Sequence, residues 1–263
     1  MLERLREGLR TRLARVVDES ADRHYARLEA LVDELRRDLR DESARLADLV
    51  REVEFRSRRD IYAAGERAAV ASADRFVRQH LPRVASFPHP METLQHSLSF
   101  TPDEGMVCEF GVFSGTSLKA IAAALPGREI YGFDSFQGLP EAWRTNIPAG
   151  AFHRRGELPE VDGAELVVGW FADTVPEFAA THPGPVAFLH LDADLYSSTV
   201  TVLDHLGDRL RPGSVVLFDE YFNYPGWEEH EHQAWQEFVA RTGITFEYLC
   251  YTSNNEQLAL RIT

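Results

Sequence analysis

The residues best suited to chemistry sit at one junction, His190-Leu191-Asp192-Ala193-Asp194-Leu195-Tyr196-Ser197-Ser198-Thr199. The apolar run Val186-Ala187-Phe188-Leu189 before it reads as a buried strand. Residues two apart in an extended segment point to the same side, so Asp192 and Asp194 can face one cleft while Ala193 turns away. A second acidic strand end follows, Val215-Val216-Leu217-Phe218-Asp219-Glu220. Neighbouring strands lie about 4.8 Å apart. If these two pair, three or four carboxylates converge at one sheet edge, a repulsion that a divalent cation relieves. Capping of helices or turns by Asp194 and Asp219 is the bland alternative. His190 precedes Asp192 by two residues and so can share its face, as a second base or an acceptor contact; otherwise it is a strand-end histidine bonded to backbone.

Two further strand ends carry ligand-binding residue types. The first is Glu109-Phe110-Gly111-Val112-Phe113-Ser114-Gly115-Thr116-Ser117, whose glycines allow a tight turn and close approach of a ligand to the backbone. It is not the full G-x-G-x-x-G pattern, which disfavours nicotinamide cofactors. The second ends in Gly132-Phe133-Asp134-Ser135. An acid there can accept hydrogen bonds from both hydroxyls of a ribose. An ordinary turn and a loop cap are the alternatives at these two positions. The aromatics Tyr224 and Trp227 follow the second acidic pair; they suit stacking on a sugar face, or packing against the next helix. His230 and His232 read as solvated. The loop with Trp143, Phe152, His153, Arg154 and Arg155 reads as a lid over an acceptor, its arginines facing an acidic group.

These residues need a scaffold, and the pattern from Met106 onward supplies one. Strands are expected at Val107–Phe110, Ile130–Phe133, Glu165–Val168, Val186–Leu191, Ser214–Phe218, Phe246–Tyr251 and Gln257–Ile262. Helices are expected at Thr116–Leu125, Thr174–Thr181, Ser197–Leu210 and Glu229–Thr242. Such alternation gives a doubly wound, mainly parallel α/β sheet with the functional loops at the carboxyl ends of its strands. The last two strands read as an antiparallel hairpin at one edge. Residues 81–105, with four prolines and a short helix near Met91–Leu98, read as a linker. Residues 1–80 read as long helices. Leu28, Val32, Leu35, Leu39, Leu46, Leu49 and Val53 follow a 4-3 spacing with Glu42 in the one polar seam position. A shorter stripe, Leu2, Leu5, Leu9, Leu13 and Val16, precedes it, with a break expected near Asp18–Asp22. A self-associating coiled coil through residues 1–60 is one reading; a helical hairpin folded on its own domain is the other.

Charge narrows the partners. Of 28 basic and 42 acidic residues, 15 of each lie in residues 1–60, so the whole net charge of −14 belongs to the remainder. An acidic main domain argues against nucleic acid or an anionic membrane as substrate, and tolerates a cationic cofactor. Cys108 and Cys250 read as buried apolar residues. No secretory signal and no apolar run of about 18 residues is evident, so a cytoplasmic protein is expected.

The combination Glu-Phe-Gly-Val-Phe, Gly-Phe-Asp-Ser-Phe-x-Gly-Leu-Pro, Gly-Trp-Phe-x-Asp-Thr-x-Pro, Leu-Asp-x-Asp-Leu-Tyr-x-Ser-Thr and Phe-Asp-Glu-Tyr resembles the macrocin O-methyltransferase family, over about residues 105–263. The resemblance implies a Rossmann-like, seven-stranded methyltransferase sheet at 106–263 behind the helical arm at 1–80. It implies transfer of a methyl group from S-adenosylmethionine to a sugar hydroxyl, with Mg2+, on a sugar-containing small molecule or glycan. Glu109, Gly111, Ser114, Asp134, Ser135, Trp170, Phe171 and Asp173 then bind the cofactor. Asp192, Asp219 and Glu220 hold magnesium, Asp194 is the general base with His190 as a second candidate, and Tyr196, Tyr224 and Trp227 contact the acceptor. Familiar members tend to carry Asp-Asp where this chain has Asp219-Glu220. The residue chemistry agrees: three carboxylates leave about three of magnesium's six positions open. A catechol-type methyltransferase, and a coiled-coil scaffold with an inactive methyltransferase-like domain, are the rival readings.

Overall fold

The structure is a computed structural model that describes the backbone of residues 2–263 and the side chains of residues 5–263, so the Leu2 position of the shorter stripe lies outside the described side chains. It comprises two units, residues 1–63 and residues 64–263. The first is dominated by helix α1 (Leu2–Arg59), with no interruption at Asp18–Asp22 and no hairpin. Asp and Ser cost a helix interior only tenths of a kcal/mol each, and no Gly or Pro is present to stop it there. Arg15 and Glu19 pair at 3.1 Å across that segment. The helix ends at Asp60, whose Oδ1 accepts the amides of Tyr62 (3.0 Å) and Ala63 (3.1 Å) and so caps helix α2 (Ile61–His80).

From residue 64 onward α2 belongs to the main domain. Ala69, Ala73 and Phe76 recur on one face and are buried. Phe76 packs edge-on against Trp227 (centroids 5.6 Å) and Tyr248 (6.0 Å). The sequence boundary at residue 80 therefore lies well inside this unit. The expected linker also contributes a strand, β1 (Ala85–Phe87), and helix α3 (Pro90–Leu98), with Pro at its first turn.

The remaining elements are β2 (Met106–Phe110), α4 (Thr116–Ala124), β3 (Ile130–Asp134), β4 (Glu165–Val168), α5 (Phe171–Thr181), β5 (Val186–Leu191), α6 (Tyr196–Leu206), β6 (Leu210–Phe218), α7 (Glu231–Thr242), β7 (Phe246–Thr252) and β8 (Leu258–Ile262). They form one eight-stranded sheet in the order β1-β7-β8-β6-β5-β2-β3-β4. Only β8 runs antiparallel to its neighbours. The eighth strand is β1, which pairs in parallel with β7 and covers the hairpin edge. Three residues between prolines carry too short a pattern to announce a strand. Burial alternates across β2: Cys108 and Phe110 join the layer of Phe133, Val175 and Leu206, whereas Val107 joins that of Leu94, Leu118 and Ile121. Both faces are therefore covered, as a parallel sheet requires. Strand order reverses between β2 and β5, which opens a crevice at their carboxyl ends. No helix among the described residues is long and apolar enough to cross a membrane.

Candidate active site

The ladders of three central strands run one residue past their ends and fix the acidic residues. The Asp192 amide donates to the Phe110 carbonyl (2.9 Å), and the Asp219 amide to that of Leu191 (2.7 Å). Beyond Asp192 the chain turns instead of staying extended. Leu195 N–H bonds the Ala193 carbonyl at 2.6 Å, and Asp194 takes φ +59°. The expected alternation thus fails at Asp194, and a left-handed turn aims it into the cleft instead. Carboxylate oxygens of Asp192, Asp194 and Glu220 come within 4.8 Å of one another.

Asp219 is held beside this trio. Gln257 Nε2 donates to its Oδ2 at 3.1 Å, and His190 Nε2 lies 3.7 Å from its Oδ1. His190 Nδ1 lies 2.9 Å from Glu109 Oε1, across a pair that β2 and β5 place in register. Burial alone would depress His190, but the nearby Asp219 carboxylate and the bond to Glu109 hold it well above the ordinary histidine value. Burial likewise pushes Asp219 up, and the His190 contact outweighs it, so that Asp219 titrates below the usual range.

For the other acids burial and like charge prevail. Burial, then the charge of Asp219, pushes Asp192 well up. Burial, then Asp219 and Asp192, does the same to Glu220, whose buried Oε2 has no hydrogen-bond partner. Burial lifts Asp194 to about 7, against the pull of Arg144. A span of 4.8 Å is close to two metal–oxygen bonds of roughly 2.1–2.5 Å. Hard oxygen donors, an orphaned carboxylate oxygen and mutual repulsion together fit a divalent cation.

Glu231, which the sequence reading left without a role, ties the two acidic loops together. It is fully buried at the first turn of α7. Its Oε2 accepts the Glu220 amide at 3.1 Å, and its Oε1 accepts the Ala193 amide at 3.5 Å. Nothing in its local pattern distinguishes it from an ordinary helix-start acid.

The trio lines a cavity of about 1120 Å³. Gly111, Asp134, Ser135, Trp170, Phe171 and Asp173 line the same cavity. Asp134 organises the glycine turn: its Oδ2 accepts the amides of Val112 (3.0 Å) and Phe113 (2.8 Å), and its Oδ1 that of Phe136 (2.7 Å). Gly111 sits at φ +99°, and any side chain there would collide with the Asp192 carbonyl. Only glycine lets the two strand ends approach so closely. The roof is the segment 137–152, closed on itself by the pair Leu139–Ala151 (2.9 Å). Arg144 pins it, stacked between Trp143 (3.7 Å) and Tyr224 (3.6 Å) and bonded twice to Glu256, once at 2.9 Å.

Several expected site residues lie elsewhere. Glu109 and His190 are buried beneath the cavity floor rather than on it. Ser114 Oγ bonds Thr116 Oγ1 at 3.0 Å, and Ser114 does not line the cavity. Tyr196 turns away to Glu237 (2.6 Å). Trp227 is buried against α2, donating to Ser72 Oγ at 2.8 Å, and Tyr224 is buried behind Arg144. Aromatic bulk made Tyr224 and Trp227 attractive as sugar contacts, and the same bulk makes them core. His232 is not solvated either: it packs against Trp227 (4.8 Å) and Tyr221 (4.9 Å), and burial, aided by His80, lowers it to about 4. Arg154 lies over the Phe113 ring at 5.3 Å instead of facing the cavity.

Residues 108–221 match a methyltransferase domain family. The chain is 29% identical over 160 residues to the 8-demethyl-8-(2,3-dimethoxy-alpha-L-rhamnosyl)-tetracenomycin-C 4'-O-methyltransferase of Streptomyces olivaceus, a stretch covering 50% of this chain and 59% of that protein. It is 28% identical over 186 residues to the mycinamicin III 3''-O-methyltransferase of Micromonospora griseorubida, covering 60% of this chain and 70% of the relative. Among solved structures, the calicheamicin methyltransferase CalS11 is similar with a TM-score of 0.53 at 27% identity, over 65% of this chain and 76% of that one. The chain thus spans about three fifths of the length of the first of these relatives.

Proposed function

We propose that this protein, whose residues 108–221 match a methyltransferase domain family, is a cytoplasmic enzyme that uses S-adenosylmethionine to methylate a hydroxyl of a sugar, carried on a natural product or glycan. The observation that carries the reading is one cavity lined both by Gly111 and Asp134 and by Asp192, Asp194 and Glu220. The relative named for a rhamnosyl-bearing tetracenomycin supports the acceptor class.

Asp134 and the Gly111 turn hold the nucleoside part of the cofactor, and Trp170, Phe171 and Asp173 flank it. A carboxylate offers about four acceptor positions, so the three amides on Asp134 leave one for a ribose hydroxyl. S-adenosylmethionine supplies the electrophilic methyl group. Asp192 and Glu220 hold a divalent cation, with Asp219 beside them steadied by His190 and Gln257. Bound there, the cation supplies positive charge that lowers the pKa of a nearby acceptor hydroxyl. Asp194 receives the hydroxyl proton, and its pKa near 7 suits that task at neutral pH. The roof from Gln137 to Phe152 excludes water, and Glu231 keeps the two acidic loops at a fixed distance.

The test is turnover with labelled cofactor on parallel panels of glycosides and catechols, with and without chelator. Magnesium-dependent labelling of glycosides is expected. Preferred labelling of catechols would replace the acceptor class, and full activity in excess chelator would remove the metal. Asp194→Asn should abolish turnover while sparing cofactor and metal affinity; equal loss of metal affinity would make Asp194 a ligand instead of the base.

A further inference from the structure

The apolar stripe of α1 is exposed along its length: Leu28 is 56% exposed, Leu39 69% and Val53 58%. We propose that residues 28–53 pair with the same segment of a second copy as an antiparallel coiled coil, its two-fold axis passing between Arg40 and Asp41. Leu28, Val32, Leu35, Leu39, Glu42, Leu46, Leu49 and Val53 keep an alternating 4-3 spacing over nearly four heptads. A run of that length sustains a two-stranded seam.

Glu42 decides the direction. In a parallel, in-register pair each seam residue faces its own copy, so Glu42 would face Glu42 inside the seam, two like charges sharing a partly dry layer. In the antiparallel pair the layers are Leu28–Val53, Val32–Leu49, Leu35–Leu46 and Leu39–Glu42, each occurring twice about the axis. Every Glu42 then packs beside a leucine, and its carboxylate reaches solvent next to Arg45, which it already contacts at 3.2 Å.

The flanking charges select the same arrangement and its register. In this alignment Asp38 faces Arg45 of the second copy, and the two-fold axis repeats the pair. One heptad of slippage in one direction sets Asp38 against Asp38. Slippage the other way sets Arg45 against Arg45 and Asp38 against Glu52. The parallel alignment brings Asp38 to Ser43, Arg45 to Val50 and Glu52 to Ser57, with no opposite-charge pair at all. Self-complementarity of this kind, where residue i meets j and j meets i, is what a two-fold interface demands. At 1.5 Å per residue the two Arg59 ends stand about 55 Å apart, so the two chains leave the coil at opposite ends.

Disulfide trapping on the full-length chain tests this, since both native thiols are buried. Val32→Cys and Leu49→Cys chains, mixed and mildly oxidised, should give the mixed 32–49 disulfide, while neither chain alone gives a cross-link. Cross-linking of Val32→Cys to itself would mean a parallel pair and overturn the proposal, as would a monomeric mass of the unmodified protein by sedimentation. A charge exchange gives a second reading that leaves the seam intact. Asp38→Arg should weaken the dimer roughly ten-fold, and adding Arg45→Asp should restore it. Insensitivity to both changes would overturn the antiparallel register.

Discussion

The arm and the cavity floor use the same residue types to opposite ends. Along α1, glutamates and aspartates sit in full solvent and pair with arginines three or four residues away, as in Arg58–Glu54 at 2.5 Å and Arg36–Asp33 at 3.4 Å. Such pairs contribute about 0.3–0.5 kcal/mol each and can be exchanged with little consequence. On the floor, Asp192, Asp194 and Glu220 are packed together, and burial drives all three toward the protonated form. Water makes a charge cheap in one place. Its removal makes the same charge costly, and reactive, in the other.

The largest effect should come from relieving that cost. Glu220→Gln removes the orphaned carboxylate oxygen, and turnover should fall by about a thousand-fold or more if metal binding depends on it. The metal-free variant should meanwhile be more stable than the parent by about 1–3 kcal/mol, because an uncompensated buried acid is gone. Thermal melts in chelator check the stability, and initial rates with magnesium check the activity. A variant that is both less stable and fully active would erase the contrast between the two regions.

Glu231→Gln is next. One side-chain oxygen must then serve where two now accept the amides of Ala193 and Glu220. The loops should lose their common anchor, and magnesium affinity should drop roughly 10–100-fold. Cofactor affinity, which depends on Asp134 and the Gly111 turn, should stay unchanged; calorimetric titration of each ligand separates the two. Parallel losses of both would mean that Glu231 holds up the fold rather than the floor.

Two buried groups should give stability opposite slopes in pH. His232 has its pKa lowered to about 4, so below about 6.5 the unfolded chain binds the extra proton. Stability should fall as pH drops from about 6.5 to 4, by about 2 kcal/mol after allowance for its partial exposure. Asp194 is raised to about 7; between its ordinary value and 7 the folded state holds the extra proton, so in chelator its contribution falls as pH rises. His232→Phe should flatten the acid side of the stability curve and Asp194→Asn the neutral side, as denaturant midpoints across pH will show.

Much of this was legible in the chain. The acids at the ends of β5 and β6, the glycine turn and Asp134 announce themselves because strand ends are local and their residue types are uncommon there. Trp227, Tyr224 and His190 were read as functional and proved to be packing or support. Whether an aromatic or a histidine faces a cavity depends on what packs behind it, and for Trp227 α2 supplies that packing from 155 residues away in the chain. Glu231 escaped notice for a related reason: its partners are backbone amides of two other loops, which leave no mark on the residue sequence. The strand β1 and the uninterrupted α1 were missed for want of a strong local signal in either direction.

The smallest effect belongs to the arm, and it completes the contrast. Glu54→Ala removes the partner of Arg58 from a helix whose acids and arginines, among the described side chains, are all in contact with water. Glu54 lies outside the seam and outside the Asp38–Arg45 flank, so self-association should also be spared. Stability should change by less than about 0.5 kcal/mol, and more salt should shrink even that. Turnover should be unaffected. Two kinds of result would show that water is not the whole difference: a loss of several kcal/mol in thermal melts, or a change in rate. Either would mean that this stretch of α1 carries a contact on which the folded protein depends.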